Sequence, residues 1–220
     1  MSTQTRWWWV RHAPVPDSGK IYGQSDLECD CGDTEVFSIL SQELPKDAVW
    51  LTSNLVRTHQ TAGAILGADT GRHAGVETLA IPEFAEQHLG AWQGLERKPF
   101  YASRKVGTEA LWFAPANECP PGGESFATLT ERVGTAILRL NEQHAGRDIV
   151  AVTHGGTIRA ALALALGLTP QAALSFSVEN CSLTRLDHMG GGPQGLWRVV
   201  CVNHRPWPRR AANATGIDKT

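Results

Sequence analysis

The stretch "DIVAVTHGGTIRAALALAL", Asp148 to Leu166, carries the two signals that decide the fold. Its first part, Asp148–His154, is a near-continuous apolar run of the kind buried on both faces of a parallel sheet. Gly155 and Gly156 break that run, and "TIRAALALAL" follows as a helix. A strand that runs straight into a helix is the repeating step of an α/β architecture.

The same alternation recurs on either side. "WWWVR" (Trp7–Arg11) reads as a short buried strand that ends at Arg11-His12 and is broken by Pro14. "AVWLTS" (Ala48–Ser53) is a second strand, and Ser53-Asn54 are expected to cap the helix "LVRTHQTAGAIL". In "GGESFATLTERVGTAILRLNEQ", Phe126, Leu129, Val133, Ile137 and Leu140 recur at spacings of three and four, one apolar helix face. "CSLTRLDH" and "WRVVCVNH" close the pattern as two strands joined through "MGGGPQG". The expected fold is a three-layer α/β/α sandwich with a mostly parallel sheet. Its single domain spans 1–205, with a cap-like insertion rich in Gly, Pro and aromatics at 81–123 and a tail at 206–220.

Composition narrows the function classes. A net charge of -2 over 220 residues gives no electrostatic case for nucleic acid or a membrane surface. The most apolar run, Ala160–Leu168, is about half of the roughly 18 residues a membrane span needs. With no signal-peptide pattern, a cytoplasmic location is expected. Five unevenly spread cysteines do not form a disulfide framework, and Cys29-x-Cys31 has no second thiol pair to complete a zinc site. No metal and no cofactor is expected.

In parallel α/β sheets, ligands sit at the carboxyl ends of the strands. Those ends here are Arg11-His12, then Ser53 with Arg57 one turn on, then His154-Gly155-Gly156 at a helix start. Cationic side chains converging on a glycine-rich helix N-terminus make a phosphate site. "HGG" also suggests an esterase oxyanion loop, but there is no G-x-S-x-G elbow, and no Cys-x5-Arg phosphatase signature occurs either. The remaining histidines, His59, His73, His88, His144, His188 and His204, read as surface, cap or satisfied polar residues. Tyr22, Trp92 and Trp112 suit either core packing or the wall of a pocket.

Taken in order, five segments resemble the histidine phosphatase superfamily, the phosphoglycerate-mutase-like proteins. They are "VRHAPV", "TSNLVRTHQTA", "FAEQHLGAWQGL", "PPGGES" and "VTHGGTIRA", and they span Val10 to Ala160. The resemblance implies that His12 is a nucleophile that accepts the phosphoryl group, while Arg11, Arg57 and His154 hold its oxygens. It implies that Glu86 protonates the leaving oxygen and then activates water, and that Ser18, Gly23, Gln24 and Gly155 line the phosphate and substrate side.

Some positions depart from the family pattern. Ala13 replaces a glycine, Pro14 and Val15 stand where an acidic residue and Ser or Thr are common, and Ser18 stands for an asparagine. The implied activity is metal-independent hydrolysis of a small phosphorylated metabolite. The "IYGQSD" segment and compact length are most similar to the α-ribazole phosphatase branch. Mutase-type phosphoryl transfer and a phosphate-binding pseudoenzyme are the alternatives. A homodimer stays open.

Overall fold

The computed structural model describes residues 4–104, 113–190 and 195–207. Trp112, and residues 208–220 of the expected tail, lie outside the described residues. Six strands form one sheet: β1 (Thr5–Arg11), β2 (Val49–Thr52), β3 (Thr78–Ala80), β4 (Asp148–Thr153), β5 (Leu183–His188) and β6 (Trp197–His204), in the order β3-β2-β4-β1-β5-β6. The first four in that order are mutually parallel. β5 runs antiparallel to β1, and β6 antiparallel to β5. The mostly parallel α/β sandwich expected from the sequence is therefore the fold observed.

Each face of the sheet buries its own core, as the period-two alternation of strand side chains requires. Trp7, Trp9, Ile149, Ala151, Leu51 and Leu186 face α4 (Phe126–Gln143), α5 (Gly155–Leu166) and the short α6 (Pro170–Ala173). Val10, Trp50, Val150 and Val152 face α1 (Thr34–Glu43) and α2 (Val56–Ala68). The apolar face read on α4 is buried in full, and Ser125 caps that helix by accepting from the Thr128 N–H at 3.1 Å. Between β3 and α4, two single-turn 3-10 helices and α3 (Arg97–Ser103) surround a smaller apolar cluster of Ile21, Leu89, Trp92 and Ala114. Trp92 thus packs in that cluster, with Arg104 stacked on its ring. Among the described residues, no helix is long and apolar enough to cross a membrane.

One expectation fails locally. The N-cap of α2 is Leu55, and neither Ser53 nor Asn54 caps it. The Val56 N–H is taken instead by the Asp26 carboxylate at 2.7 Å, a residue 30 positions upstream. Ser53 accepts from the Leu55 N–H at 3.1 Å, but its hydroxyl is also turned toward His154.

The tryptophans of β1 have distinct environments. Trp7 and Trp9 stack at 4.8 Å on one face of the strand, both edge-on to Phe84. Trp7 donates its indole N–H to Asn141 Oδ1 at 2.7 Å, whereas the buried indole N–H of Trp9 has no hydrogen-bond partner. Either tryptophan replaced by alanine is expected to cost about 3–5 kcal/mol. Phenylalanine should separate them. Trp7→Phe orphans a buried amide oxygen, costing about 1–3 kcal/mol beyond the change in packing, while Trp9→Phe removes an unsatisfied donor. Urea denaturation of the two variants checks this: equal losses would show that the Asn141 bond contributes nothing.

Candidate active site

The parallel register places three successor residues together. Arg11 pairs with Thr153 across β1 and β4, and Thr52 with Val152 across β2 and β4, so His12, Ser53 and His154 leave the sheet side by side. The His12 N–H donates to the Thr153 carbonyl at 2.9 Å, extending the ladder one step past the strand. The rings of His12 and His154 lie 5.2 Å apart at 60°.

His12 is almost fully buried, and its Nδ1 lies 2.7 Å from the Ala13 carbonyl oxygen. A carbonyl can only accept, so Nδ1 carries the proton and the lone pair of the neutral ring sits on Nε2. Burial, followed by the charges of Arg11 and Arg57, pushes the His12 pKa well below the ordinary imidazole value. His154 holds the opposite tautomer. Its Nδ1 accepts from Arg57 Nε at 3.3 Å, so its Nε2–H donates to Ser53 Oγ at 2.8 Å. Its pKa is also pushed well down, by burial first and then by Arg57 and its other charged neighbours.

Arg57 is fully buried. Its terminal nitrogens donate to the carbonyls of Gly23 (2.7 Å) and Ser25 (2.9 Å), and its guanidinium lies 5.1 Å from the centre of the Tyr22 ring. Arg11 donates to the Val178 carbonyl at 2.6 Å, and its buried Nε has no hydrogen-bond partner among the described residues. Among the described residues, neither arginine is within ion-pairing distance of a carboxylate. Two cations beside a helix N-terminus, with a buried donor left over, make a receptor for an anion.

Glu86 stands on the other side of that helix start. Its Oε2 accepts from the Gly156 N–H at 3.2 Å and its Oε1 from the Gln87 N–H at 2.9 Å. The approach depends on glycine, since a Cβ on Gly156 would fall 2.1 Å from Glu86 Oε1. On Gly155 a Cβ would fall 3.2 Å from Arg159 Nη1 and 3.7 Å from Arg11 Nε.

Arg11, His12, Arg57, Glu86, His154 and Gly155 are thus brought together. Gly23 and Gln24 join them indirectly: the Gly23 carbonyl holds Arg57, and the Gln24 side chain donates to the Glu86 carbonyl at 2.8 Å. Ser18 is apart, exposed in the turn Asp17–Lys20 at φ 52, with no hydrogen bond to the other site residues. Sequence reasoning placed Ser53 and Gly156 at the strand ends without giving either a chemical role of its own, and it missed Arg159. Arg159 is half-buried, and burial lowers its pKa to about 10. The doubled glycine of "HGG" was the one available signal for Gly156. Among the described residues, no group of three or more His, Cys, Asp or Glu is placed to hold a metal ion.

Comparison with known proteins gives the family. The profile of the Histidine phosphatase superfamily (branch 1) matches residues 7–203, and this chain belongs to that superfamily. A metal-independent phosphoserine phosphatase of Arabidopsis thaliana is 36% identical over 159 residues, which is 69% of this chain and 64% of that protein. The chain thus spans less than two thirds of that relative. An adenosylcobalamin/alpha-ribazole phosphatase of Salmonella typhimurium is 27% identical over 178 residues, 80% of each chain. The native structure of a mycobacterial glucosyl-3-phosphoglycerate phosphatase superposes with a TM-score of 0.75 at 25% identity, covering 91% of this chain and 99% of that one.

The two lowered histidines link stability to pH. An unfolded histidine titrates near 6.5, so as pH falls through that value the unfolded chain takes up protons that folded His12 and His154 refuse. Each ring thus costs the folded chain stability progressively as pH falls below about 6.5, until the pH reaches its lowered folded pKa. In phosphate-free buffer between pH 7.5 and 5, the stability of wild-type protein should therefore fall more steeply than that of His12→Asn. Parallel curves would mean that His12 is not held neutral.

Proposed function

We propose that this chain, as a histidine phosphatase, hydrolyses phosphomonoesters of small metabolites through a phosphohistidine on His12. The observation that carries the reading is the state of His12. It is a neutral ring with Nδ1–H fixed on the Ala13 carbonyl and, among the described residues, with Nε2 unengaged, beside two guanidinium groups that have no carboxylate there within ion-pairing distance.

On this reading, Nε2 attacks phosphorus, the N–P bond forms and the ester P–O bond breaks. The charge spreading over the phosphoryl oxygens is met by Arg11, Arg57 and the Gly155 N–H at the start of α5, and by the Nε2–H of His154 once it turns from Ser53 to the phosphate. Glu86 gives its proton to the leaving oxygen. It then takes a proton from the water that cleaves the N–P bond, releasing phosphate and restoring His12. The arginines supply the positive charge, so the chemistry asks for no metal or cofactor. Residues 81–123 are read as a cap over the leaving group.

Hydrolysis is favoured over mutase-type transfer by the state of the cap's arginines. Arg97 is ion-paired to Asp17 at 2.5 Å, and Arg104 is ion-paired to Glu118, so neither is free to hold a second acidic group on the substrate. The α-ribazole phosphate reading of the sequence stands beside phosphoserine, since relatives named for both are similar to this chain.

The test is a screen of α-ribazole 5'-phosphate, phosphoserine and 3-phosphoglycerate with a trace of 2,3-bisphosphoglycerate, with phosphoenzyme trapped in acid-labile, base-stable form. Phosphate release and labelling, both abolished in His12→Ala, are the expected result. Isomerisation without release would establish a mutase. Silence on every substrate, with phosphate still bound, would establish a binding protein. Glycine substitutions give an independent check. Gly156→Ala should lower kcat for an alkyl phosphate about 100-fold by displacing Glu86, the range for loss of a general acid. Gly155→Ala, whose Cβ meets only the far ends of arginine side chains, should lose much less.

A further inference from the structure

The "PPGGES" segment and the helix after it have no role in the chemistry described so far. Several of their polar contacts lead to one place. Arg132, on α4, donates to the carbonyls of Glu83 (2.6 Å), Ala85 (3.0 Å) and Glu86 (3.0 Å). The same guanidinium forks onto both oxygens of Glu124, Nη2 to Oε1 at 2.5 Å and Nε to Oε2 at 3.0 Å. Glu124 in turn accepts from the His88 N–H at 2.9 Å, and its carbonyl accepts from the Gln87 side chain at 2.9 Å.

The backbones interlock as well. The Ala91 N–H donates to Pro121 and the Glu124 N–H to His88, so residues 88–91 and 121–124 lie against each other. Glycine permits this closeness. A Cβ on Gly90 would meet the Pro121 carbonyl oxygen at 2.2 Å, and one on Gly123 the His88 carbonyl oxygen at 2.3 Å. Thr157 takes the remaining carbonyl, that of Phe84, at 2.9 Å. Every backbone carbonyl from Glu83 to Glu86 is therefore held by a side chain from another part of the fold.

We propose that Arg132 is a positioning residue for Glu86, with the Gly122–Ser125 turn as its anchor, so that the Arg132–Glu124 fork sets the proton-transfer geometry of the reaction. This rests on reading Glu86 as the proton donor. A fork is required, because one lysine ammonium cannot reach three carbonyls and both oxygens of a carboxylate. A loop released from this clamp lets the Glu86 carboxyl drift from the leaving oxygen, while His12, Arg11 and Arg57 keep their own supports on β1, Gly23 and Ser25.

The test compares Arg132→Gln, Arg132→Lys and Glu86→Gln on two substrates. β-Glycerol phosphate has an alkoxide leaving group that needs a proton, and p-nitrophenyl phosphate has one that does not. Both Arg132 variants should lose about 100-fold in kcat on the alkyl ester and only a few-fold on the aryl ester, the same split as Glu86→Gln. The double variant Arg132→Gln/Glu86→Gln should be no worse than Glu86→Gln alone on the alkyl ester. Equal losses on both substrates by folded Arg132 variants, or additive losses in the double variant, would overturn the inference and leave Arg132 as packing. A split in Glu86→Gln that the Arg132 variants lack would overturn the positioning alone. No split in Glu86→Gln would overturn the proton-donor reading and this inference with it. Thermal unfolding establishes which variants fold. Should Arg132→Gln not fold, Arg132→Lys, which keeps the charge and the methylene stem, carries the same comparison.

Discussion

A buried guanidinium with no carboxylate, among the described residues, at ion-pairing distance is the constraint from which the rest of this site follows. Arg57 is fully enclosed, and carbonyls of Gly23 and Ser25, one imidazole nitrogen and the face of Tyr22 are its partners. Carbonyl dipoles can satisfy its N–H groups, but they cannot neutralise its charge. The cost of holding that cation out of water is met by the surrounding fold. On the proposed reading a bound phosphate dianion would offset it, so that ligand binding and stabilisation of the folded chain would be one free-energy change. A carboxylate at ion-pairing distance would make the protein more comfortable and the site less receptive.

Burial first, and then the charges of the arginines, set the protonation of the neighbouring rings. His12 and His154 are both kept neutral, and each then has one proton to place. Arg57 Nε can only donate, which forces the His154 proton onto Nε2 and toward Ser53. The Ala13 carbonyl can only accept, which forces the His12 proton onto Nδ1. Two identical side chains 5.2 Å apart thereby become different reagents. Ser53 is recruited into this arrangement, which is why it does not cap α2 and why Asp26 does.

How much of this the sequence disclosed depends on whether the signal was local. Buried strands announce themselves through runs such as "DIVAVT", and α4 through its three-and-four spacing, because those patterns follow from backbone geometry alone. The residues that follow β1, β2 and β4 were legible once the sheet was known to be parallel, since parallel strands end on a common edge. What escaped was long-range. Nothing in "ERVG" says that Arg132 will reach carbonyls 46 to 49 residues away, and nothing in "QSDLE" marks Asp26 as a helix cap for Val56. Such roles are fixed only when two distant segments are packed against each other.

The departures in the loop after His12 fit this logic too. The alanine in place of a glycine at position 13 is tolerated, because Ala13 is not among the residues with positive φ and its methyl group is buried in the core beneath the loop. The loop is held by its backbone. Ala13 N–H donates to Thr61 Oγ1 at 2.9 Å, the Pro14 carbonyl accepts from the Asp30 N–H at 2.7 Å, and the His12 carbonyl accepts from the Asn180 side chain at 2.8 Å. Proline suits such a loop, since it restricts the backbone and this segment asks nothing of its missing N–H. With Ser18 turned out to solvent, the cationic groups left at the site are Arg11 and Arg57, beside the start of α5. His12 is placed by main-chain bonds that a change of loop side chain leaves intact, so this loop could lose its usual polar residues without losing the geometry of His12.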